Sequence, residues 1–584
     1  MIRARMLVLA TLFLAGAASA GGVISSKHDL STSGPGPIRA IDETRVCIFC
    51  HISHGADELG QNRPEGSAIY RLYESTTMRS NVAFSPTGAS RLCLSCHDGT
   101  IALGETLSTG TIRVVGADPS GRLPPGPSNL GTDLRRSHPV SFLPAPSDVL
   151  RPLAKDEPVK LDRTGQVQCT SCHDPHIEDV DPVRRKFLVK SSRFSELCVT
   201  CHAVPYWQSN PSSHQASQVP LGPQAAGKYP FATVAENGCE SCHRSHQAGE
   251  QGRLLRSRSD EPDEQVCLDC HNGFVARTDI ASAAVRPFSH IDARPGPRLH
   301  DASEGPSNTR FQLPERSGSA LRHATCVDCH NPHAAFQQDA TAPRIKGANV
   351  GTWGIDVRGD LVDPARFEYE LCFKCHGDSA NQPQARGLPR IGVPRRAIVE
   401  PNLRLQIAPE APSAHPVAQP GRAMDVPSLL PPYITASQIY CTDCHSSDSG
   451  RGAGGLGPRG PHGSSYPFLL ERNLSTADQT IESRESYALC YKCHDRDVLL
   501  SDASAFRLHR RHVVDSATPC TACHVSHGVA PLQGNPVNNA HLVDFDTGIV
   551  QATSGGVRQY TSLGPRTGTC SVACHGVEHN ATPY

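Results

Sequence analysis

All 24 cysteines of this 584-residue chain fall into twelve motifs in which a histidine directly follows the second cysteine. Eleven read C-x-x-C-H: Cys47, Cys50 and His51; Cys93, Cys96 and His97; Cys169, Cys172 and His173; Cys198, Cys201 and His202; Cys239, Cys242 and His243; Cys267, Cys270 and His271; Cys326, Cys329 and His330; Cys372, Cys375 and His376; Cys441, Cys444 and His445; Cys490, Cys493 and His494; and Cys520, Cys523 and His524. The twelfth, Cys570, Cys574 and His575, has one more residue between its thiols. C-x-x-C-H is the attachment signature of c-type haem: two thiols bond to the porphyrin edge, and the next histidine is placed to take the iron. The cofactor reading is therefore heme c, twelve copies, with the twelve motif histidines as proximal ligands. Zinc held by four thiolates would also use paired cysteines. It leaves the histidine after every second cysteine without a purpose.

Twelve porphyrins change what this chain can fold into. Hydrophobic residues are 38% and aromatics 5%, while 49 glycines and 48 prolines interrupt nearly every stretch, so conventional cores are thin. The 564 residues after position 20 leave 47 per motif, and each porphyrin supplies a large flat apolar surface. The expected fold is irregular coil with short α-helices at the motifs, wrapped around a chain of covalently bound haems, with little or no sheet. The formal charge of −1 excludes the basic stripe of a nucleic-acid binder.

The motifs come in six pairs whose members differ. First members carry another histidine three residues on: His54, His176, His246, His333 and His527. Second members lack it, and most have Leu or Val directly before the first cysteine in a short apolar lead-in, as in Glu196-Leu-Cys-Val-Thr-Cys-His202. The fifth pair breaks the rule, because His445 runs into Ser-Ser-Asp, and a Gly-Pro-His-Gly turn at His462 is the candidate replacement. A repeating unit of this kind marks an array. The six units are drawn as 21–130, 131–210, 211–285, 286–400, 401–505 and 506–584, after a signal segment at 1–20.

Twelve haems with two histidines each call for 24 imidazoles, and the chain has 29. Methionine, the other common sixth ligand, is nearly absent, with 4 in all. The expected distal ligands are His54, His176, His246, His333, His462 and His527 within or after first members. His28, His138, His214, His290, His415 and His512 precede first members and complete the set. The x-x-His imidazole is too close in sequence to reach its own haem's far face, so it is expected to serve an adjacent haem. His323 competes with His290; His541 and His579 flank the irregular last motif and are alternates there; His300 and His509 are the expected spares.

Residues 1–20 read as a secretory signal: Arg3 and Arg5, an apolar run from Leu7 to Leu14, and Ala18-Ser19-Ala20 at the cleavage site. The run of about ten residues is short of the roughly 20 a membrane span needs. No cysteine follows the cleavage site to carry a lipid. Export puts the chain where c-type haem is attached, in the periplasm, at the outer membrane or outside the cell.

A haem enzyme needs an open coordination position at its iron, as catalytic metal sites generally do. With histidines to spare, no haem here is forced to have one, and the reading favours an electron carrier. The alternative is a multihaem oxidoreductase whose open haem is the one at Cys570 and Cys574. Bis-histidine ligation lacks the methionine that raises haem potential, so low, overlapping potentials are expected.

Lys27-His-Asp-Leu-Ser, Cys47-Ile-Phe-Cys-His51 with its trailing His54, and Arg91-Leu-Cys-Leu-Ser-Cys-His-Asp-Gly-Thr100 resemble the multihaem cytochromes c with doubled C-x-x-C-H motifs of metal-reducing and related bacteria. Cys326-Val-Asp-Cys-His-Asn-Pro-His333 is similar. The resemblance implies a periplasmic or cell-surface carrier, acting in an outer-membrane porin–cytochrome conduit or as a subunit of an extracellular haem filament. Its partners would then be other multihaem cytochromes, a porin, or further copies of itself.

Overall fold

The computed structural model describes residues 22–51, 70–75, 78–106, 109–207, 212–223, 227–249, 252–257, 264–291, 313, 324–379, 393–423 and 425–584. Residues 1–20, expected as a signal segment, and His54, His300 and His323 lie outside them. The chain forms two compact units. One comprises Met1–Glu74, Arg79–Ala203 and Ser245–Gln247; the other comprises Ser75–Met78, Val204–Arg244 and Ala248–Tyr584.

Coil and turns dominate both units, and the helices are short, many of them on the motifs, as expected from the proline and glycine content. Each regular motif is one helical turn. The backbone N–H of the motif histidine donates to the carbonyl of the first cysteine, for example His173 to Cys169 at 3.0 Å and His445 to Cys441 at 2.9 Å. That turn puts positions i, i+3 and i+4 on one face, which brings both thiols and the imidazole to the same side.

First and second members start their turns differently. In the first member of the fourth pair, Thr325 caps the turn Cys326–Cys329: its backbone N–H and hydroxyl both donate to Asp328, at 2.6 and 2.9 Å. Four of the six second members begin their helices before the first cysteine, where the apolar lead-in gives the helix something to bury. Helix α1 spans Gly88–His97 and buries Leu94; helix α2 spans Glu368–His376 and buries Tyr369, Leu371 and Phe373. In α2, Tyr369 and Phe373 lie one turn apart and pack with Ile355, Ile407 and Val417. Lys374 is buried as well, donating to the Asp328 carbonyl with its ammonium 4.6 Å from the Trp353 ring centre.

The buried apolar clusters are small, the larger two holding six and five residues in the second unit. Clusters of that size cannot hold a unit of this length by themselves. Among the described residues, extended structure is confined to three two-residue ladders and one C-terminal meander. The meander runs β1 Gln559–Gly564, β2 Thr567–Cys574 and β3 Val577–Pro583, all antiparallel. It packs Tyr560 and Val572 onto Ala522, Val543, Phe545 and Val550. No helix among the described residues is long and apolar enough to cross a membrane.

Candidate haem-ligand sites

Histidines that are far apart in sequence meet in pairs. Two imidazoles on opposite sides of one iron, each nitrogen about 2 Å from the metal, place their ring centres roughly 6 Å apart. Among the described residues, eleven histidine pairs have ring centres between 5.9 and 6.3 Å apart, and each pair lies within one unit. Ten of them join a motif histidine to a non-motif histidine.

The pairs follow two rules. The x-x-His of a first member faces the motif histidine of the preceding first member: His176 faces His51, His246 faces His173, His333 faces His243, His462 faces His330 and His527 faces His445. The upstream histidine faces the second member of its own pair: His28 faces His97, His138 faces His202, His214 faces His271 and His290 faces His376. His415 is near enough to the His494 ring to lower its pKa, second to burial, in keeping with the second rule. His462 thus fills the place left by Ser-Ser-Asp in the fifth pair. His509, expected as a spare, faces His524 at 6.3 Å.

The two kinds of distal histidine are held together. His138 donates its backbone N–H to Ser245, beside His246, at 2.7 Å. His214 donates Nδ1–H to the Pro332 carbonyl, beside His333, at 3.0 Å; His290 donates to Pro461, beside His462, at 3.2 Å; and His415 donates to Ser526, beside His527, at 2.6 Å. Each of these four upstream histidines therefore leans on the x-x-His segment of the next pair, His462 standing in for it in the fifth.

Proximal imidazoles are fixed in the same way. His173, His243, His330, His445 and His524 donate Nδ1–H to the carbonyls of Lys186, Arg253, Ala348, Phe468 and His541, at 2.8 to 2.9 Å. A carbonyl accepts only, so the proton sits on Nδ1 and Nε2 is left to bind metal. Burial keeps the facing rings neutral: it is the main cause lowering the pKa of His333 and His462 to about 4 and of His527 to about 3. His541 acts through its backbone, with its ring 6.3 Å from that of Tyr560.

The thiols also meet in a regular order. All 24 are free. The Cys326 thiol lies beside Cys267 and raises its pKa, as Cys441 does for Cys372 and Cys490 for Cys520; in the other unit Cys169 does so for Cys93. In these four cases the first thiol of a second member adjoins the first thiol of the next pair. Porphyrin edges bonded to these thiols would adjoin.

A cavity of about 3690 Å³ runs through the second unit, lined by its motif cysteines and paired histidines. One ordinary small-molecule pocket is about 300–1,000 Å³, so the space suits several macrocycles. The donor set, the ring spacing and this volume fit haem. Among the described residues no three His, Cys, Asp or Glu side chains converge as a metal-ion cluster.

The twelfth motif departs from this plan. His575, expected as a proximal ligand, faces no histidine among the described residues and instead bonds Asp478 through Nε2 at 2.9 Å. His512, the expected distal ligand, faces His579 at 6.3 Å.

Three stretches, 163–205, 232–276 and 433–499, match the model of the doubled CXXCH motif family. No curated protein matches the chain. The family matches cover the second, third and fifth pairs. They identify a multihaem c-type cytochrome, with covalently bound haem and an electron-transfer role.

Proposed function

We propose that the chain is an exported dodecahaem cytochrome c that conducts electrons along bis-histidine haems, between the periplasm and the outside of the cell. The observation that carries this reading is the pairing of motif histidines with distant imidazoles at 5.9 to 6.3 Å. Bound haem supplies the one-electron chemistry of its iron. The chain does the rest: its thiols fix each porphyrin edge, its carbonyls orient the imidazoles, and two histidines per site keep substrates off the metal.

Contact between the first thiols of successive pairs supports short steps between neighbouring sites. The signal segment at 1–20 suits a carrier that meets its partners outside the cytoplasm. Those partners would be other multihaem cytochromes, a porin in an outer-membrane conduit, or further copies of this chain in a filament.

A mass measurement of the purified holoprotein should give twelve haems, and a redox titration one broad wave at negative potential. A dominant positive wave would contradict the ligand assignment. A second reading, an oxidoreductase with an open iron at Cys570 and Cys574, draws on His575, whose ring is bonded to Asp478 rather than facing a second imidazole. A strong high-spin ferric signal would favour it.

A further inference from the structure

We infer that the iron of the twelfth haem is held by His579 and His512, and that the motif histidine, His575, is a turn residue outside the coordination sphere. The inference rests on the twelve-haem reading above.

The extra residue in the motif changes which side chains share a face. In a regular motif the helical turn gathers positions i, i+3 and i+4. With the cysteines at i and i+4, the following histidine is at i+5, rotated about 140° from the first cysteine on any helix. The chain adopts a strand here, β2. A strand puts i, i+2 and i+4 on one face, so Cys570, Val572 and Cys574 point together and His575 cannot join them.

The hairpin supplies a different imidazole. His579 on β3 is the register partner of Val572; Cys574 pairs with Val577, two residues before His579, and Cys570 pairs with Thr582, three residues after it, across an irregularity in the pairing between Cys570 and Val572. Cross-strand partners share a face, so His579 lies on the side that carries both thiols. That side packs on the motif turn of Ala522 and Cys523 and lines the large cavity. His579 is among the cavity-lining residues and His575 is not.

His575 has another task. It and Gly576 form the two-residue turn between β2 and β3, with φ of +50° and +78°. Positive φ at both central positions is what a tight type I′ hairpin needs. The His575 ring then lies against Asp478 and Gln479, and the nitrogen that binds iron elsewhere, Nε2, is used for Asp478 at 2.9 Å.

His512 completes the argument independently. Upstream histidines face the second member of their own pair, and by that rule His512 belongs to the twelfth haem. The ring it faces, 6.3 Å away, is His579. Its Nδ1–H is donated to the Leu508 carbonyl at 2.9 Å, which leaves Nε2 for the metal. Both axial positions of this haem are then filled, and the site is a low-spin relay.

The test uses full-length holoprotein carrying His579→Met or His575→Met, with haem number read by mass. Twelve haems in the unaltered protein secure the reading on which the inference rests; fewer would fault that reading instead. His579→Met is expected to give one haem with a sulfur-to-iron charge-transfer band and a single wave at more positive potential. His575→Met is expected to give neither. With all twelve haems retained in both variants, the band in His575→Met, or in neither, overturns the inference. Loss of one haem from His579→Met alone supports it, and loss from His575→Met alone overturns it.

Discussion

The imidazoles of His330 and His462 face each other with ring centres 6.0 Å apart and planes only 7° from parallel. His138 and His202 stand at nearly the same separation, 6.1 Å, but with planes 82° apart. The difference follows the repeat. Pairs built on the motif histidines of first members lie between 7° and 29°, those on second members between 64° and 82°. The pairs at His524 and His579 lie between the classes, at 39° and 40°. Parallel axial rings split the iron orbitals they overlap, whereas perpendicular rings leave them nearly degenerate. The ferric protein should therefore show two low-spin electron paramagnetic resonance signals of comparable weight, one rhombic and one highly anisotropic. A single rhombic signal would contradict the alternation.

The wiring across pairs makes a second expectation. His462 follows the motif of Cys441 and Cys444 in sequence but faces His330, the histidine of Cys326 and Cys329. His462→Met should move one haem to more positive potential, because a thioether ligand raises it. The shifted haem should be the one at Cys326 and Cys329. Adding Cys326→Ser and Cys329→Ser should abolish the new band, while adding Cys441→Ser and Cys444→Ser should leave it.

Hydrogen bonds behind the rings tune the iron. The Nδ1 of His494 lies 3.0 Å from the Ser428 hydroxyl, a side-chain partner where most other rings use a backbone carbonyl. Such a bond makes the imidazole a stronger donor and favours ferric iron. Ser428→Ala should remove about 1 kcal/mol of that bias, raising one haem potential by roughly 40 mV for a one-electron couple. Protein-film voltammetry of the single variant would read the shift, and an unchanged wave would discount the bond.

The small apolar clusters predict what happens without haem. A chain made where haem is not attached should be largely unfolded, as small metallo-domains are without their metal. Far-ultraviolet circular dichroism and hydrodynamic radius would read this. A haem-free chain as compact as the holoprotein would show that the clusters around Val572 and Phe373 hold the fold unaided.

The coil-and-short-helix fold was legible because proline, glycine and few aromatics leave little else to pack. The motif turns were legible too, since the spacing of Cys169, Cys172 and His173 suits one helical turn. The upstream and x-x-His candidates stand out in the sequence as types, although His54 lies outside the described residues. Which ring faces which was not: the partner of His330 is His462, and nothing in the spacing between them marks it. His509 is an expected spare for the same reason, and the fold sets it against His524.

Sequence by itself determined the number of haem motifs, their pairing in two kinds, and a surplus of histidines over need. These are properties of residue identity and short spacing, which a single helical turn converts directly into chemistry. Tertiary structure decided the partners, because they are set by carbonyls of distant loops, such as Ser526 holding His415, and by contacts between thiols of successive pairs. It also decided the last site. One inserted residue turned the motif at Cys570 from a helical turn into a strand, and the strand's two-residue period carried His579 to the thiol face and His575 to the turn.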